Sequence, residues 1–260
     1  MREKNNNFDQ NKDRFFKMAD VYDKLVEYLV PNYNFFHDEL IKLFLFKKDD
    51  QINIIDLGAG SGILLEKILS CYPNASGYWI DYSDDFLKVA KKRLEKFSIR
   101  IEFIKSSLEG DWISKIKKKI HIITSMSAIH HLESKEKIAL YKKCYNLLEP
   151  LGWFFNIDEM KTLNYDAYVN SLKRWYKHGE EIKEHIPNDK KKYYHSLKMQ
   201  FDNWKVRNLD NIDVPKTKGD DIHETFTEQI NWLNEIGYVN VDLFIKYHLW
   251  CLIGGQKDKD

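Results

Sequence analysis

Acidic and histidine side chains follow several short apolar runs of this chain, and these residue types bind polar ligands and move protons. They are Asp56, Asp81, the pair His130 and His131, and Asp158. The carboxyl ends of parallel strands meet at one edge of an open α/β sheet, where such folds bind their ligands. Carboxylates accept hydrogen bonds from hydroxyl groups, and a histidine can take a proton near neutral pH. The pattern predicts a small-molecule site at this edge.

A glycine-rich turn follows the first of these runs and reads Asp56-Leu57-Gly58-Ala59-Gly60-Ser61-Gly62. Glycine tolerates positive φ and leaves no Cβ between the backbone and a ligand. The dinucleotide fingerprint requires a glycine where Ile63 stands, and its pyrophosphate would be repelled by Asp56. The carboxylate instead favours an ammonium group, so an NAD-dependent dehydrogenase ranks last among the functions considered.

At these residues the sequence resembles the class I S-adenosylmethionine-dependent methyltransferases, whose first motif is an acidic residue followed by three alternating glycines. The resemblance implies S-adenosyl-L-methionine as cofactor. It places Asp56 near the amino group of the cofactor, with Gly58, Ala59 and Gly60 around its methionine end. Gly62 is expected to serve close packing of the following helix.

The second acidic position, Asp81-Tyr82-Ser83, ends the next strand and lies 21 residues after Gly60. Rossmann-like folds place an acid at about this spacing against the ribose hydroxyls. We therefore predict that Asp81, with Tyr82 beside it, binds the ribose. The alternative is that Asp81 caps the helix predicted over residues 85–96.

The position that is expected to bind adenine departs from the family pattern. The family usually has an aspartate just beyond the third strand, and Ser107 stands in its place here. Adenine recognition is predicted to rest on Ser107, on the backbone around Leu108, or on Glu109 or Asp111 in a shifted loop. Ser125, at the end of the fourth strand, is a further predicted cofactor contact.

Beyond the fourth strand the sequence Ala128-Ile129-His130-His131-Leu132 resembles the fourth motif of many small-molecule methyltransferases. A histidine at this position could deprotonate a hydroxyl or amine acceptor. His131 is the first candidate for a general base and His130 the second. The alternative is that one histidine caps the next helix and the other fills space.

Two helices precede the glycine loop. Residues 1–13 form a polar tail, apolar positions recur at helical spacing from Phe15 until Pro31, and a second helix is predicted over 35–46. Similar N-terminal helices form a lid in many small-molecule methyltransferases, in which a tyrosine approaches the cofactor. Tyr22 is the corresponding residue here, or else a core aromatic.

The acceptor site is predicted from the fifth strand and from an insertion over residues 161–222 that is rich in Tyr, Trp, Lys and His. Helical spacing of its aromatics predicts a helical cap over the carboxyl edge of the sheet, most of whose aromatics form the core of the cap. Aromatics of the cap suit a cationic acceptor and its arginines an anionic one, and the sequence does not choose between them. Asp158 has simple turn capping as an alternative role. The candidate acceptor residues are Asn156, Asp158, Trp175, Tyr176, Arg174 and Arg207.

These elements predict an α/β fold, a Rossmann-like doubly wound sheet of about seven strands with an antiparallel C-terminal edge hairpin. The N-terminal tail and lid helices occupy residues 1–46 and the cofactor-binding core residues 47–160. After the cap of residues 161–222, residues 223–260 supply the last helix and the hairpin. At 260 residues, one domain with an added cap is expected rather than two domains.

Composition limits the partners. The 41 Lys and Arg residues against 40 Asp and Glu give a charge of +1, so nucleic acid is not expected as a partner. We find no run long enough for a membrane span and no signal peptide. Three dispersed cysteines fit a reducing compartment and show no metal-ligand spacing. A cytoplasmic protein, without a metal site and with a possible homodimer, is expected.

The predicted activity is methylation of a small-molecule acceptor by in-line displacement. One alternative is an enzyme similar to the bacterial synthase of carboxy-S-adenosylmethionine for transfer-RNA wobble modification. That alternative needs an arginine for the extra carboxylate, for which Arg174 and Arg207 are available, and it requires prephenate. Another is a non-catalytic protein that only binds S-adenosylmethionine.

Overall fold

A seven-stranded sheet forms the centre of the molecule. The computed structural model describes residues 19–259, so the predicted tail and the helix start at Phe15 lie outside the described residues. The strand order is β3-β2-β1-β4-β5-β7-β6; the first five strands run parallel, and β7 pairs antiparallel with both β5 and β6. The predicted Rossmann-like α/β fold with its C-terminal hairpin is confirmed. The strands are β1 Asn53–Leu57, β2 Ser76–Asp81, β3 Ile101–Lys105, β4 Ile120–Met126, β5 Leu148–Glu159, β6 Val239–Tyr247 and β7 Trp250–Gln256.

Eight α-helices cover the sheet within residues 19–259. They are α1 Ala19–Leu29, α2 Tyr33–Lys42, α3 Ile63–Cys71, α4 Asp84–Arg93, α5 Ser134–Leu147, α6 Tyr165–His185, α7 Lys191–Lys205 and α8 Phe226–Ile236. The second helix ends at Lys42 and not at the predicted Phe46. Phe44 leaves the helical path because its ring is buried against Phe155, with the ring centroids 6.0 Å apart.

The central strand β1 is buried on both faces. Ile54 belongs to the core under α1, α2 and α3, whereas Ile55 belongs to the core under α5 and α8. A parallel strand covered by helices on both sides usually reads as a continuous apolar run, and in β1 the buried Asp56 interrupts that run. Its position between β2 and β4 brings the glycine loop to the middle of the carboxyl edge.

The predicted cap is helical and packs on the N-terminal helix. Trp175 Nε1 of α6 donates a hydrogen bond of 3.1 Å to the Leu29 carbonyl, and His178 Nε2 lies 2.7 Å from the Tyr28 carbonyl oxygen. Helices α1, α6 and α7 therefore form one roof, although the division of the chain into four segments stays a prediction. Within residues 19–259, no helix combines the length and the apolar character that crossing a bilayer requires.

Candidate cofactor and acceptor site

A cavity of about 290 Å³ lies between the carboxyl edge of the sheet and the helical roof. Its floor contains the glycine loop and the tips of β1, β2 and β4, and its roof contains Trp175, Phe201 and Trp204. Some of the residues predicted for the cofactor and some of those predicted for the acceptor thus meet at one cavity. A ligand there would lie between the sheet edge and the helical roof.

The glycine loop needs its glycines for different reasons. Gly58 has φ +62° and Gly60 has φ +50°. A Cβ at Gly58 would lie 2.3 Å from the Ala128 Cβ, so Gly58 lets the loop approach the chain beyond β4. A Cβ at Gly60 would meet no atom closer than 3.9 Å within the described residues, so Gly60 leaves the backbone open to the cavity. A Cβ at Gly62 would lie 2.8 Å from Leu94, which accords with its predicted packing role.

Asp56 is buried at the end of β1 and lines the cavity. Its Oδ1 accepts a hydrogen bond of 3.0 Å from the Thr124 hydroxyl on the neighbouring strand. Burial raises the pKa of Asp56 to about 7; the Thr124 hydrogen bond opposes this shift and the charge of Asp81 adds to it. An ammonium group in the cavity would favour the ionised carboxylate.

Asp81 lies at the tip of β2, beside the glycine loop. Its Oδ2 accepts a hydrogen bond of 3.0 Å from the Gly60 amide, and its Oδ1 accepts one of 2.9 Å from the Ser83 amide. Ser83, and not Asp81, caps α4, because the Ser83 hydroxyl accepts from the Phe86 amide. Asp81 lines the cavity, and its binding of the ribose hydroxyls stays a prediction. Tyr82 lines the cavity next to it.

The predicted adenine segment also reaches the cavity. Ser107, Leu108 and Glu109 line it, whereas Asp111 is exposed and accepts a hydrogen bond from the Ser114 amide. The Glu109 carboxylate lies 2.7 Å from Lys218 Nζ, which is also 2.5 Å from Glu136. Lys218 therefore holds the loop before α8 over this end of the cavity.

A strained residue stands opposite Tyr22. Ser127, just beyond β4, has φ +55°, a conformation that costs energy for a residue other than glycine. The Ser127 side chain hydrogen-bonds the Tyr22 phenol, whose pKa burial raises to about 12. Both residues line the cavity. The approach of Tyr22 to the cofactor stays a prediction, whereas no sequence signal marked Ser127.

His130 is fixed by two carboxylates. Its Nδ1 lies 2.5 Å from Asp158 Oδ1 and its backbone amide donates a hydrogen bond of 2.9 Å to Asp158 Oδ2. Its Nε2 is 3.7 Å from Asp221 Oδ1. Burial alone would lower the pKa of His130, but the carboxylates of Asp158, Glu159 and Asp221 raise it to about 9.

His131 is half-buried next to it, with the two rings 4.0 Å apart. His131 Nδ1 lies 3.4 Å from Asp221 Oδ1 and has no hydrogen-bond partner among residues 19–259. Burial and the charge of His130 lower the pKa of His131 to about 4. The pKa of Asp221 is lowered to about 2, because the charges of His131, His130 and Arg207 outweigh its burial.

The sequence missed several polar residues of the cavity: His37, Glu159, Lys218, Asp220 and Asp221. Glu159 directly follows the predicted Asp158, and its Oε2 lies 3.0 Å from His223 Nε2. The acidic pair at 158 and 159 was the only signal in the sequence that could have suggested it. The His37 ring contacts Met126 Sδ at 2.8 Å, and burial lowers the pKa of His37 to about 3.

Some predicted residues do not reach the described lining of the cavity. Asn156 is fully buried beside the Tyr141 hydroxyl, and Asp158 holds His130. The Ser125 hydroxyl donates to the Leu57 carbonyl. Arg174 lies 3.5 Å from His248, and the Tyr176 hydroxyl donates to Asp202. Trp175 and Arg207 do line the cavity. The acceptor and cofactor roles of all these residues stay predictions.

Residues 54–152 match a family model described as a methyltransferase domain. The carboxy-S-adenosyl-L-methionine synthase of Nautilia profundicola is 27% identical over 151 residues, which cover 57% of this chain and 62% of that protein. The ubiquinone biosynthesis O-methyltransferase of Nitrosospira multiformis is 29% identical over 103 residues, covering 40% of this chain and 41% of that protein. The chain thus matches less than two thirds of the length of these relatives.

A solved structure has the same fold. The O-methyltransferase family protein of Burkholderia thailandensis superimposes with a TM-score of 0.60 at 15% sequence identity. The match covers 97% of this chain and 61% of that chain. The likeness extends over the helical cap as well as the sheet.

Proposed function

We infer the reaction from one premise: residues 54–152 belong to the class I S-adenosylmethionine-dependent methyltransferase family, as the resemblance in the sequence predicted. The cofactor is accordingly S-adenosyl-L-methionine. We propose that the chain transfers the cofactor's methyl group to a small-molecule acceptor by in-line displacement. The acceptor's lone pair forms a bond to the methyl carbon while the carbon–sulfur bond breaks, and the sulfonium leaves as a neutral thioether.

One observation carries this proposal: a single cavity is lined both by the glycine loop with Asp56 and Asp81 and by the aromatic roof. The two carboxylates are suited to the amino group and the ribose hydroxyls of the cofactor. The roof covers the place where the methyl group would lie. Positioning two reactants in a dry pocket supplies much of the acceleration of a displacement that disperses charge.

A small acceptor suits this enclosure better than a macromolecule. Trp175, Phe201 and Trp204 form one aromatic cluster, in which the rings of Trp175 and Trp204 are 4.4 Å apart. The net charge of +1 supplies no field for nucleic acid. The proposal includes a cytoplasmic location, supported by three free cysteines.

Activation of the acceptor is assigned to the cluster of His130, His131 and Asp221, since all three line the cavity. His130 is engaged by Asp158 and Asp221. His131 lines the cavity and is half-exposed, so it is the predicted general base. If His131→Ala leaves turnover unchanged across the pH range, this role is wrong.

The decisive experiment has two steps. Calorimetry with S-adenosylmethionine, S-adenosylhomocysteine and NAD should give binding of the first two and not of NAD. A metabolite extract incubated with the protein and S-adenosylmethionine should then contain a compound that has gained one methyl group. Binding of the cofactor without any methylated product would favour a non-catalytic binding protein.

A second candidate function is synthesis of carboxy-S-adenosylmethionine. The similarity to the Nautilia profundicola synthase and the presence of Arg207 in the cavity wall favour it. Arg207 is 3.7 Å from Asp221, however, so its charge already faces a carboxylate. Incubation with prephenate and S-adenosylmethionine separates the two functions, because only the synthase would form a carboxylated cofactor.

A further inference from the structure

Three side chains of the cavity present potential metal ligands to one another. One nitrogen from each of His130 and His131 and one oxygen from Asp221 lie within 4.8 Å of each other. The histidines follow β4 and Asp221 precedes α8, so two separate loops supply the cluster. The Ile222 amide donates a hydrogen bond of 2.8 Å to the His130 carbonyl, which holds the two loops together.

Neighbouring groups orient two of these ligands. His130 uses its Nδ1 toward Asp158, which leaves Nε2 toward Asp221. Metal-binding histidines usually engage a carboxylate through the nitrogen that does not bind the metal, and this fixes the ring and its tautomer. Asp221 accepts a hydrogen bond of 2.6 Å from Asn208 on Oδ2, which leaves Oδ1 toward the histidines.

The third ligand, His131, has a ring nitrogen that is unpaired within the described part of the chain. His131 Nδ1 is buried and has no hydrogen-bond partner among residues 19–259. Buried polar atoms are almost always paired, so an unpaired nitrogen 3.4 Å from a carboxylate oxygen suggests a missing partner. The charge around the cluster suits a cation, because the carboxylates of Asp158 and Asp221 contact it. The guanidinium of Arg207 is one opposing charge and faces the other oxygen of Asp221 at 3.7 Å.

We propose that His130, His131 and Asp221 bind one divalent first-row transition metal ion, with its open coordination positions toward the cavity. Two imidazoles and one carboxylate favour ions such as Fe²⁺, Co²⁺ or Zn²⁺ over Mg²⁺ or Ca²⁺, which prefer oxygen ligands. The sequence predicted no metal site, because Asp221 lies far along the chain from the adjacent His130 and His131.

The metal would define the class of acceptor, a consequence that rests on the proposed methyl transfer. A cation at this place would bind a hydroxyl or enol oxygen of the acceptor and lower its pKa. The proton leaves to solvent, the oxygen lone pair forms the bond to the methyl carbon, and the sulfur takes the electrons of the broken bond. His131 would then be a metal ligand and not the general base.

Cobalt binding tests the site without any activity. Full-length, tag-free protein is treated with chelator and titrated with Co²⁺, with visible absorption and calorimetry as readouts. We expect one Co²⁺ per chain. His131→Ala and Asp221→Asn should weaken binding by more than tenfold. Asp158→Asn should weaken it by about 10- to 100-fold, because Asp158 orients the His130 ring. The control His195→Ala removes an exposed histidine of α7 and should bind like the parent.

Three results would overturn the site. They are no stoichiometric Co²⁺ binding by the parent, binding by His131→Ala and Asp221→Asn as tight as that of the parent, and weaker binding only in His195→Ala. Thermal unfolding and calorimetry with S-adenosylhomocysteine show that each variant is folded. Asp221→Asn serves as the second test if His131→Ala does not fold. Cofactor binding and methylation without Co²⁺ binding would refute the metal site only, whereas Co²⁺ binding without a methylated product would refute only the proposed function.

Discussion

The Thr124 hydroxyl donates a hydrogen bond of 3.0 Å to Asp56 and so joins the tips of β4 and β1. This bond is too weak to offset burial, and the pKa of Asp56 stays raised at about 7. The carboxylate is therefore partly protonated near neutral pH while the cavity is without cofactor. The ionised form of Asp56 becomes favourable only when a cation, such as the ammonium group of the cofactor, binds beside it.

Cofactor affinity should consequently depend on pH. The ammonium group of S-adenosylhomocysteine lowers the pKa of Asp56 from about 7, so binding is strongest above that pH. Below it, protonation of Asp56 should weaken binding by about tenfold per pH unit. Calorimetry between about pH 5.5 and 8.5 measures this, with Asp56→Asn as a weak, pH-independent control. A flat profile for the parent would contradict the role of Asp56.

The same carboxylate should lower the stability of the unliganded protein. The pKa of Asp56 is raised from 3.8 to about 7 on folding, so ionisation opposes the folded state. The free energy of unfolding contributed by this group falls as pH rises from 3.8 toward 7. Asp56→Asn carries no charge and can still accept from Thr124. At about pH 8 it should unfold at a higher temperature than the parent, and a lower unfolding temperature would contradict this reading.

The glycines of the loop should differ in their sensitivity to a methyl group. Gly58→Ala places a Cβ 2.3 Å from Ala128 at φ +62°, which should cost about 2–4 kcal/mol of stability. In Gly60→Ala the new Cβ meets no close atom of the described residues, so only backbone strain at φ +50° should lower the stability, by about 1–2 kcal/mol. The Cβ should nevertheless block binding of the cofactor. Chemical denaturation and calorimetry with S-adenosylhomocysteine separate the two effects. Equal losses of stability would refute the close contact of Gly58 with Ala128.

A buried ion pair fixes the loop that carries Asp221. Lys137 is buried and forms a short hydrogen bond to Glu224, and it also donates to the Ile222 carbonyl. Glu224→Gln leaves this cation without its counter-charge and should cost about 3–5 kcal/mol. Glu235→Gln, on the exposed face of α8, should stay within about 0.5 kcal/mol of the parent. Similar denaturation midpoints for the two variants would rule out this role of the pair.

Two neighbouring aromatics of α6 provide a matched pair for the acceptor site. Trp175 lines the cavity and donates to the Leu29 carbonyl, whereas the Tyr176 hydroxyl donates to Asp202 away from it. Trp175→Phe removes that bond and part of the roof, so the KM for the acceptor should rise about tenfold or more. Tyr176→Phe should leave KM unchanged. Steady-state kinetics with the identified acceptor measures both, and a larger effect of Tyr176→Phe would reverse the assignment.

Local patterns predicted the fold and the glycine loop that lines the cavity. The turn from Asp56 to Gly62 needs particular residue types at fixed spacing, because positive φ and close approach exclude side chains. The spacing from Gly60 to Asp81 follows from one strand–helix–strand unit, and the structure joins them by a hydrogen bond of 3.0 Å. Such features lie within a short segment, so the sequence alone contains them.

The acceptor end was decided by tertiary structure. Successive strand residues point to opposite faces, and only packing determined that Glu159 reaches the cavity while Asp158 holds His130. Packing likewise turned Trp175, and not Tyr176, toward the cavity. Asp221 meets His130 only because a loop distant in sequence folds over the carboxyl edge. The periodicity of the chain defines its faces, and contacts between distant segments decide which face meets the ligand.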